Sequence, residues 1–456
     1  MNEILSLSGV AQGRLIAEGA ISSEELVRAH IEHIEGVNPA LNAAVEVLAE
    51  SALAAARRSD ARRDRLSPLD GVPFSIKDSI EVAGTVCTAG TLGYRDAAAS
   101  AADATLVARL RAAGAIPLAR TNLPDLLFAF ESDNLIHGRT NNPYDTARTS
   151  GGSSGGEAAL IAACGSPFGL GSDAAGSVRL PAHFCGITSL KPTSGRLART
   201  GHVPPAGGWV EAVWQIGPMA RRVEDLCAMM PILLGPDGRD RTVVPMPYGD
   251  PAALRVEDLR IAFFTDNGVM APHADTERVV REVAAALGAR ECRPPYVERS
   301  YELEMRYLAP DGGEGLRGFL RVIGSERTHP LLEGWLRKHE AFRTSLDGFA
   351  ACWAELDDFR AVMHRFLNDW DAVLSPVAAF SALPHGESIR DDVFPGFSYT
   401  MTHNLTGWPA AVVRCGGTGD GLPIGVQIAA APWREDVALA VTLRLEEAFG
   451  GWRTAA

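Results

Sequence analysis

The chain's 456 residues are 46% hydrophobic and 22% charged, with a formal net charge of −13 at pH 7. This is the balance of a globular enzyme long enough to bury an extensive core, and without a polybasic run it argues against nucleic acid and anionic membranes as partners. Seven scattered cysteines, odd in number and free of C-x-x-C spacing, indicate neither a disulfide framework nor a zinc site.

Met1-Asn-Glu-Ile lacks the basic and apolar regions of a secretory signal. No apolar segment is long enough for a membrane span, so a soluble, cytoplasmic protein is expected. Residues 1–60 read as amphipathic helices, with Ser22-Ser-Glu-Glu25 as a capping box before a helical apolar pattern over residues 26–34. His30 and His33 lie on that helix and are read as surface residues. The run Val72-Pro-Phe-Ser-Ile76 predicts a buried strand that ends at Lys77. Residues 105–113 predict a helix stopped by Gly114, and residues 115–119 a short buried strand.

Gly151-Gly-Ser153-Ser154-Gly-Gly156 precedes a strong helix former, residues 157–163, so the free N–H groups of that helix start would face whatever occupies the glycine-rich turn. Further on, residues 259–264 predict a strand and residues 276–287 a helix. Residues 295–365, with Tyr301, Tyr307, Trp335, Phe342 and Trp353, predict an amphipathic helical pair with a core-facing aromatic stripe. Alternating strands and helices argue for an α/β fold with a mainly parallel sheet. Length alone suggests about three domains, but the motif segments must converge on one site, so one domain over residues 1–456 is expected.

Lys77, Ser153 and Ser177 carry the chemistry. A hydroxyl is a poor nucleophile without a base, and a lysine can be that base only if burial keeps its amine neutral. A lysine that closes a buried strand meets that condition. A second hydroxyl between amine and nucleophile can accept one proton while it donates another, which is the part read for Ser153. Taken singly, a lysine after a strand is a surface snorkel and a Gly/Ser run a flexible loop, but packing does not require all three segments together. Gly151-Gly-Ser153-Ser154-Gly155 also fits the G-x-S-x-G elbow of α/β-hydrolases. The polar, turn-like residues 145–150 stand where that elbow needs a buried strand, and no G-x-x-x-x-G-K-[ST] phosphate loop is present.

The three segments Gly71-Val-Pro-Phe-Ser-Ile-Lys77-Asp78, Gly151-Gly-Ser153-Ser154-Gly-Gly156 and Gly171-Ser-Asp173-Ala-Ala-Gly176-Ser177-Val-Arg179-Leu-Pro181 resemble those of the amidase signature family. Phe184-Cys-Gly186, Leu190-Lys-Pro-Thr193, Asn404-Leu-Thr-Gly-Trp-Pro-Ala410 and Gly421-Leu-Pro-Ile-Gly-Val-Gln427 extend the resemblance, which covers about residues 65–230 (a catalytic core) and 370–445 (C-terminal core motifs). It implies a large mixed, mainly parallel β-sheet covered by helices on both faces.

It also implies Ser177 as nucleophile, Ser153 as a relay serine held by a cis peptide bond, Lys77 as base and Ser154 as a supporting hydroxyl. The backbone N–H groups of Ala174, Ala175, Gly176 and Ser177 are implied as the oxyanion hole. Ala175 departs from the usual glycine, and a positive φ there would cost about 1 kcal/mol. Asp173 and Arg179 are read as holding the nucleophile loop, with a substrate carboxylate as a second role for Arg179. Leu126, Leu127, Phe128 and Phe130 match the loop that borders the acyl pocket, and residues 295–365 the region that forms a lid or channel wall. The resemblance further implies an acyl-enzyme mechanism that needs no metal or organic cofactor. The expected partner is a small amide, carbamate or ester, with no nucleic acid and no membrane, in a monomer or homodimer. The glutaminase subunit of tRNA-dependent amidotransferases shares the motifs and is the reading of another class.

Overall fold

The buried run predicted before Lys77 is the strand Pro73–Lys77, in a computed structural model that describes residues 2–205 and 207–455. It belongs to an eleven-stranded sheet. In chain order the strands are Ala44–Val47 (β1), Pro73–Lys77 (β2), Ile116–Thr121 (β3), Phe168–Asp173 (β4), Thr188–Lys191 (β5), Gln215–Ala220 (β6), Ile261–Phe263 (β7), Arg290–Glu291 (β8), Ala372–Pro376 (β9), Ala410–Gly417 (β10) and Pro423–Ala430 (β11). Across the sheet they run β1-β3-β2-β4-β6-β5-β10-β11-β9-β7-β8. Helices Arg179–Cys185, Val223–Leu233, Ala274–Leu287 and Glu435–Phe449 pack against it. β2, β3, β4 and β11 are buried along their whole length, including their polar members Lys77, Arg120, Asp173 and Gln427.

The sheet is mixed, as expected, but not mainly parallel. Four strand pairings are parallel and six antiparallel. Strand–helix alternation reveals crossovers and misses direct returns such as that of β10 into β11, where the chain turns over residues 418–422 with Gly421 at φ +91°.

Residues 1–60 are not helical throughout. The capping box is present, with Ser22 Oγ accepting from Glu25 N–H at 3.1 Å and Glu25 Oε2 from Ser22 N–H at 2.8 Å. The helix Ser23–Leu41 ends at Asn42, whose φ of 50° is left-handed, and the edge strand β1 follows before the helix Ala49–Asp60. His30 is buried, not on the surface. It falls one turn from Leu26 and one from Ile34, both core residues, and its ring meets Gly165 O at 3.1 Å. His33 is half-buried against Ala163 O.

The helix Thr105–Ala112 stops before Gly114, where φ is +92° and a Cβ would lie 2.4 Å from the Asp70 carboxylate. Residues 295–365 hold four helices rather than a pair, Ser300–Leu308, Glu314–Val322, Pro330–Glu340 and Leu346–Phe366. Their aromatic residues divide between two tasks. Tyr307 is buried edge-on against Trp353 at 5.2 Å, whereas Trp335 stacks on His339 and faces Phe128 at 4.6 Å. No helix among the described residues is long and apolar enough to cross a membrane.

Candidate active site

Lys77 ends β2 fully buried, with Nζ 2.6 Å from Ser153 Oγ and 3.2 Å from Ser172 Oγ. Burial drives its amine well below the ordinary lysine range, against the opposing pull of Asp173 and Glu157. Glu157 pulls weakly, because burial raises its own carboxyl to about 8 despite hydrogen bonds from Ser75 and Thr121 and the nearness of Lys77. It is therefore mostly protonated at neutral pH.

Ser153 stands in a glycine turn that sequence and packing both dictate. Gly151 has φ +85°, the Gly152–Ser153 peptide is cis, and a Cβ on Gly152 would lie 2.6 Å from Ala129 O. The close approach sets the turn against residues 129–131. The helix Gly155–Ala162 begins immediately after it. Ser154 ties the turn to its neighbours, its N–H donating to Ser177 O at 3.1 Å and its Oγ accepting from Ser172 N–H at 3.4 Å. The preceding Asp145–Thr149 is a partly exposed strand of a two-stranded ribbon, not the buried strand that a nucleophile elbow requires.

Ser177 lies in the loop that links β4 to the helix Arg179–Cys185 and is 7% exposed, opening to a cavity. The left-handed backbone angle falls on Gly176 (φ +122°), where a Cβ would lie 2.4 Å from Thr400 Oγ1, and not on Ala175. Ala175 therefore carries its Cβ without the strain its sequence position suggested. One of the four expected oxyanion donors is already engaged: Gly176 N–H donates to Asp173 Oδ1 at 2.8 Å. The N–H groups of Ala174, Ala175 and Ser177 have no acceptor among the described residues.

Arg179 uses all five of its N–H donors inside the protein. Nε and Nη2 bind the two oxygens of Asp173 at 3.0 and 2.9 Å, and the others reach Thr400 O, Gln427 Oε1 and Asn404 Oδ1. It is fully buried and does not line the cavity, which removes the second role read for it, contact with a substrate carboxylate. Burial alone would raise the Asp173 carboxyl, but the Arg179 guanidinium and the Asn404 amide outweigh it and hold Asp173 ionised.

The cavity has a volume of about 310 Å³. Leu126, Leu127, Phe128 and Phe130 all line it, the two leucines in left-handed conformation and Phe130 stacked on Phe397 at 4.3 Å. Trp209, Trp214, Trp335, Leu308, Ala309 and Leu316 add to the wall, so the helical region borders the site. Ser153, Ser172, Asp173, Ala174, Ala175 and Ser177 form the polar end. Among the described lining residues none is Lys or Arg, and the carboxylate of Asp311 is satisfied by Gly313 and Gly315 N–H.

Two residues of the site escaped the sequence reading. Ser172 sat inside a recognised motif without a role, and His202, 3.0 Å from Ser172 Oγ, lies beyond the last of the clustered motifs with no signal of its own. Three other histidines lie away from the cavity. His183 binds Gly425 N–H and Phe380 O, His385 faces Thr146 O, and His403 is buried; none lines the cavity. No three His, Cys, Asp or Glu side chains among the described residues are grouped as metal ligands.

A family model described as Amidase matches residues 25–439. Fatty-acid amide hydrolase 2-A of Danio rerio is 32% identical over 99% of this chain and 90% of its own length. A glutamyl-tRNA(Gln) amidotransferase subunit from Chloroflexus aggregans is 34% identical over 98% of this chain and 97% of its own. Among solved structures, 6-aminohexanoate cyclic dimer hydrolase superposes with a TM-score of 0.86 at 30% identity, covering 98% of this chain and 97% of its own.

Proposed function

Since the chain belongs to the amidase family, whose members hydrolyse carbon–nitrogen bonds other than peptide bonds, we propose that it cleaves uncharged aryl and alkyl amides through Ser177, Ser153 and Lys77. Ser177 Oγ attacks the carbonyl carbon while Ser153 takes its proton and passes its own to neutral Lys77. The loop N–H groups of Ala174, Ala175 and Ser177 take the developing oxyanion, where each such donor contributes about 3 kcal/mol in the transition state. When the C–N bond breaks, the proton returns along the same path to the leaving amine. Water then attacks the acyl-enzyme by the same steps.

The observation that carries this reading is the fully buried Lys77 amine 2.6 Å from Ser153 Oγ, at the polar end of the cavity that Ser177 faces. The cavity's apolar wall supports an aryl or alkyl substrate. Carbamates and esters pass through closely related tetrahedral intermediates and belong to the same reading. A glutaminase role, suggested by the amidotransferase relative, fits less well. Glutamine brings an α-carboxylate and an α-ammonium, and the lining offers no free cation and no uncommitted carboxylate among the described residues. Assay against chromogenic anilides, carbamates, esters, free amides and glutamine, with Ser177→Ala as the blank, tests the assignment. Turnover of glutamine alone would overturn it.

A further inference from the structure

Lys77 Nζ faces two hydroxyls, and the second is itself oriented from behind. Ser172 Oγ lies 3.2 Å from Nζ and 3.0 Å from His202 Nε2. His202 is buried; that burial, with Lys77 and Arg199 nearby, pushes its imidazole down to about 3, so it is neutral at working pH. A neutral imidazole has one N–H. Its Nδ1 lies 2.9 Å from Pro204 O, which can only accept, so Nδ1 carries the proton and Nε2 is an acceptor. Of the two hydroxyls beside Nε2, Ser172 at 3.0 Å is nearer than Ser79 at 3.2 Å, which favours Ser172 pointing its hydroxyl hydrogen at His202 and its lone pairs at Lys77. Ser79 Oγ makes the longer approach to that single lone pair and has no contact with Lys77 Nζ among the described hydrogen bonds.

A neutral amine has two N–H groups and one lone pair. With an N–H drawn to Ser172, the lone pair is left for the Ser153 hydroxyl. We propose that His202 is a positioning residue: acting through Ser172, it fixes the direction of the hydrogen bonds around Lys77 so that the amine's lone pair faces Ser153. The ring is set firmly for this. It packs on Trp214 at 4.5 Å, Trp214 is covered by the Arg199 guanidinium at 4.9 Å, and the His202 backbone pairs with Ile80 just beyond Lys77. The other ionisable groups around Lys77 are the Asp173 and Glu157 carboxyls and, next along β2, the buried Asp78–Arg120 pair. None of them touches Ser172 Oγ among the described contacts.

The inference rests on Lys77 being the base, and its test separates the two. In the full-length enzyme, His202→Gln keeps an acceptor oxygen at the place of Nε2. His202→Phe keeps a ring against Trp214 and removes the acceptor, and the smaller His202→Asn keeps the donor to Pro204 O without reaching Ser172. On an anilide whose chemical step limits turnover, Phe and Asn should each lower kcat about 10- to 100-fold with KM within about threefold, whereas Gln stays within about fivefold of the parent.

The Phe and Asn variants should also move the rising limb of the pH–rate profile to lower pH. The released Ser172 hydroxyl turns its hydrogen to the Lys77 lone pair, which favours the neutral amine while competing with Ser153 for it. Adding either change to Ser172→Ala should cost nothing further. A Phe variant as active as Gln, additive losses with Ser172→Ala, or a limb that stays put or climbs toward the ordinary lysine value would overturn the proposal. Undiminished turnover in Lys77→Ala would instead overturn the base assignment beneath it.

Discussion

Asp173 and Arg179 form a doubly hydrogen-bonded ion pair whose side chains are both wholly out of reach of solvent. The carboxylate does two things at once, holding the guanidinium with both oxygens and accepting the N–H groups of Gly176 and Val178 on either side of Ser177. Arg179→Met would leave that carboxylate buried without its cation, and removing one partner of a buried pair typically costs about 3–5 kcal/mol. Urea denaturation should register a loss of that order at pH 7. The sign with pH follows from the depressed Asp173 pKa: the pair's contribution is present above the carboxylate's unfolded value and fades as pH falls through the folded one, so the variant's deficit should shrink in acid.

Ser177→Ala should abolish amide turnover and leave the fold intact, because it removes one oxygen from a side chain at the cavity edge and almost no packing volume. Activity within about tenfold of the parent would sink the nucleophile assignment. His183→Gln, His385→Gln and His403→Gln should each retain a substantial rate, since none of these histidines borders the cavity, whereas Lys77→Ala should lose several orders of magnitude. The reverse pattern would restore a serine–histidine mechanism.

The loop around Ser177 makes a sharper comparison between neighbours. Ala175→Gly should leave kcat within about threefold and lower stability by about 0.5–1 kcal/mol, because Ala175 is not held at positive φ and glycine only adds freedom to the unfolded chain. Gly176→Ala should be far more damaging. Its φ is +122° and its Cβ would collide with Thr400, whose Oγ1 donates to Ala175 O at 2.7 Å and so holds the turn. Measuring kcat and melting temperature for both variants decides whether the strain sits where the structure has it.

What could be read in advance depended on whether neighbouring residues fixed the answer. β2 was legible because Gly71 and a continuous apolar run leave a buried strand as the only economical reading, and Lys77 inherits its burial from that strand. The Ser153 turn was legible because four glycines around two serines match a backbone that no larger residue permits. Strand direction was not, since nothing in the apolar period of β6 records that it runs antiparallel to both β4 and β5. Nor was the occupied N–H of Gly176, which depends on where the Asp173 carboxylate turns, or His202, which meets Ser172 across 30 positions of chain. Hydrogen-bond partners brought together by the sheet leave no local pattern.

As a base, Lys77 would have to be free of its third proton before Ser177 could react. If the neutral amine is the base, the acylation rate should rise with pH through a limb set by the depressed lysine pKa, well below the ordinary value of about 10.4. Glu157 supplies a handle on that limb. Its carboxyl titrates at about 8, and as it ionises it pulls Lys77 back toward the ammonium, so in the parent enzyme the gain in rate should flatten as pH rises through that region. Glu157→Gln removes the charge while keeping an oxygen to accept from Ser75 or Thr121. The flattening above about pH 8 should then disappear and that part of the profile become steeper, while the rate near pH 7, where Glu157 is mostly protonated, should change little. The measurement needs an amide whose chemical step is limiting, since fast chemistry followed by slow product release would hide the titration. Flattening above about pH 8 that persists unchanged in a folded, active Glu157→Gln enzyme would mean that the group titrating there is not Glu157, and the coupling between this carboxyl and Lys77 would be refuted.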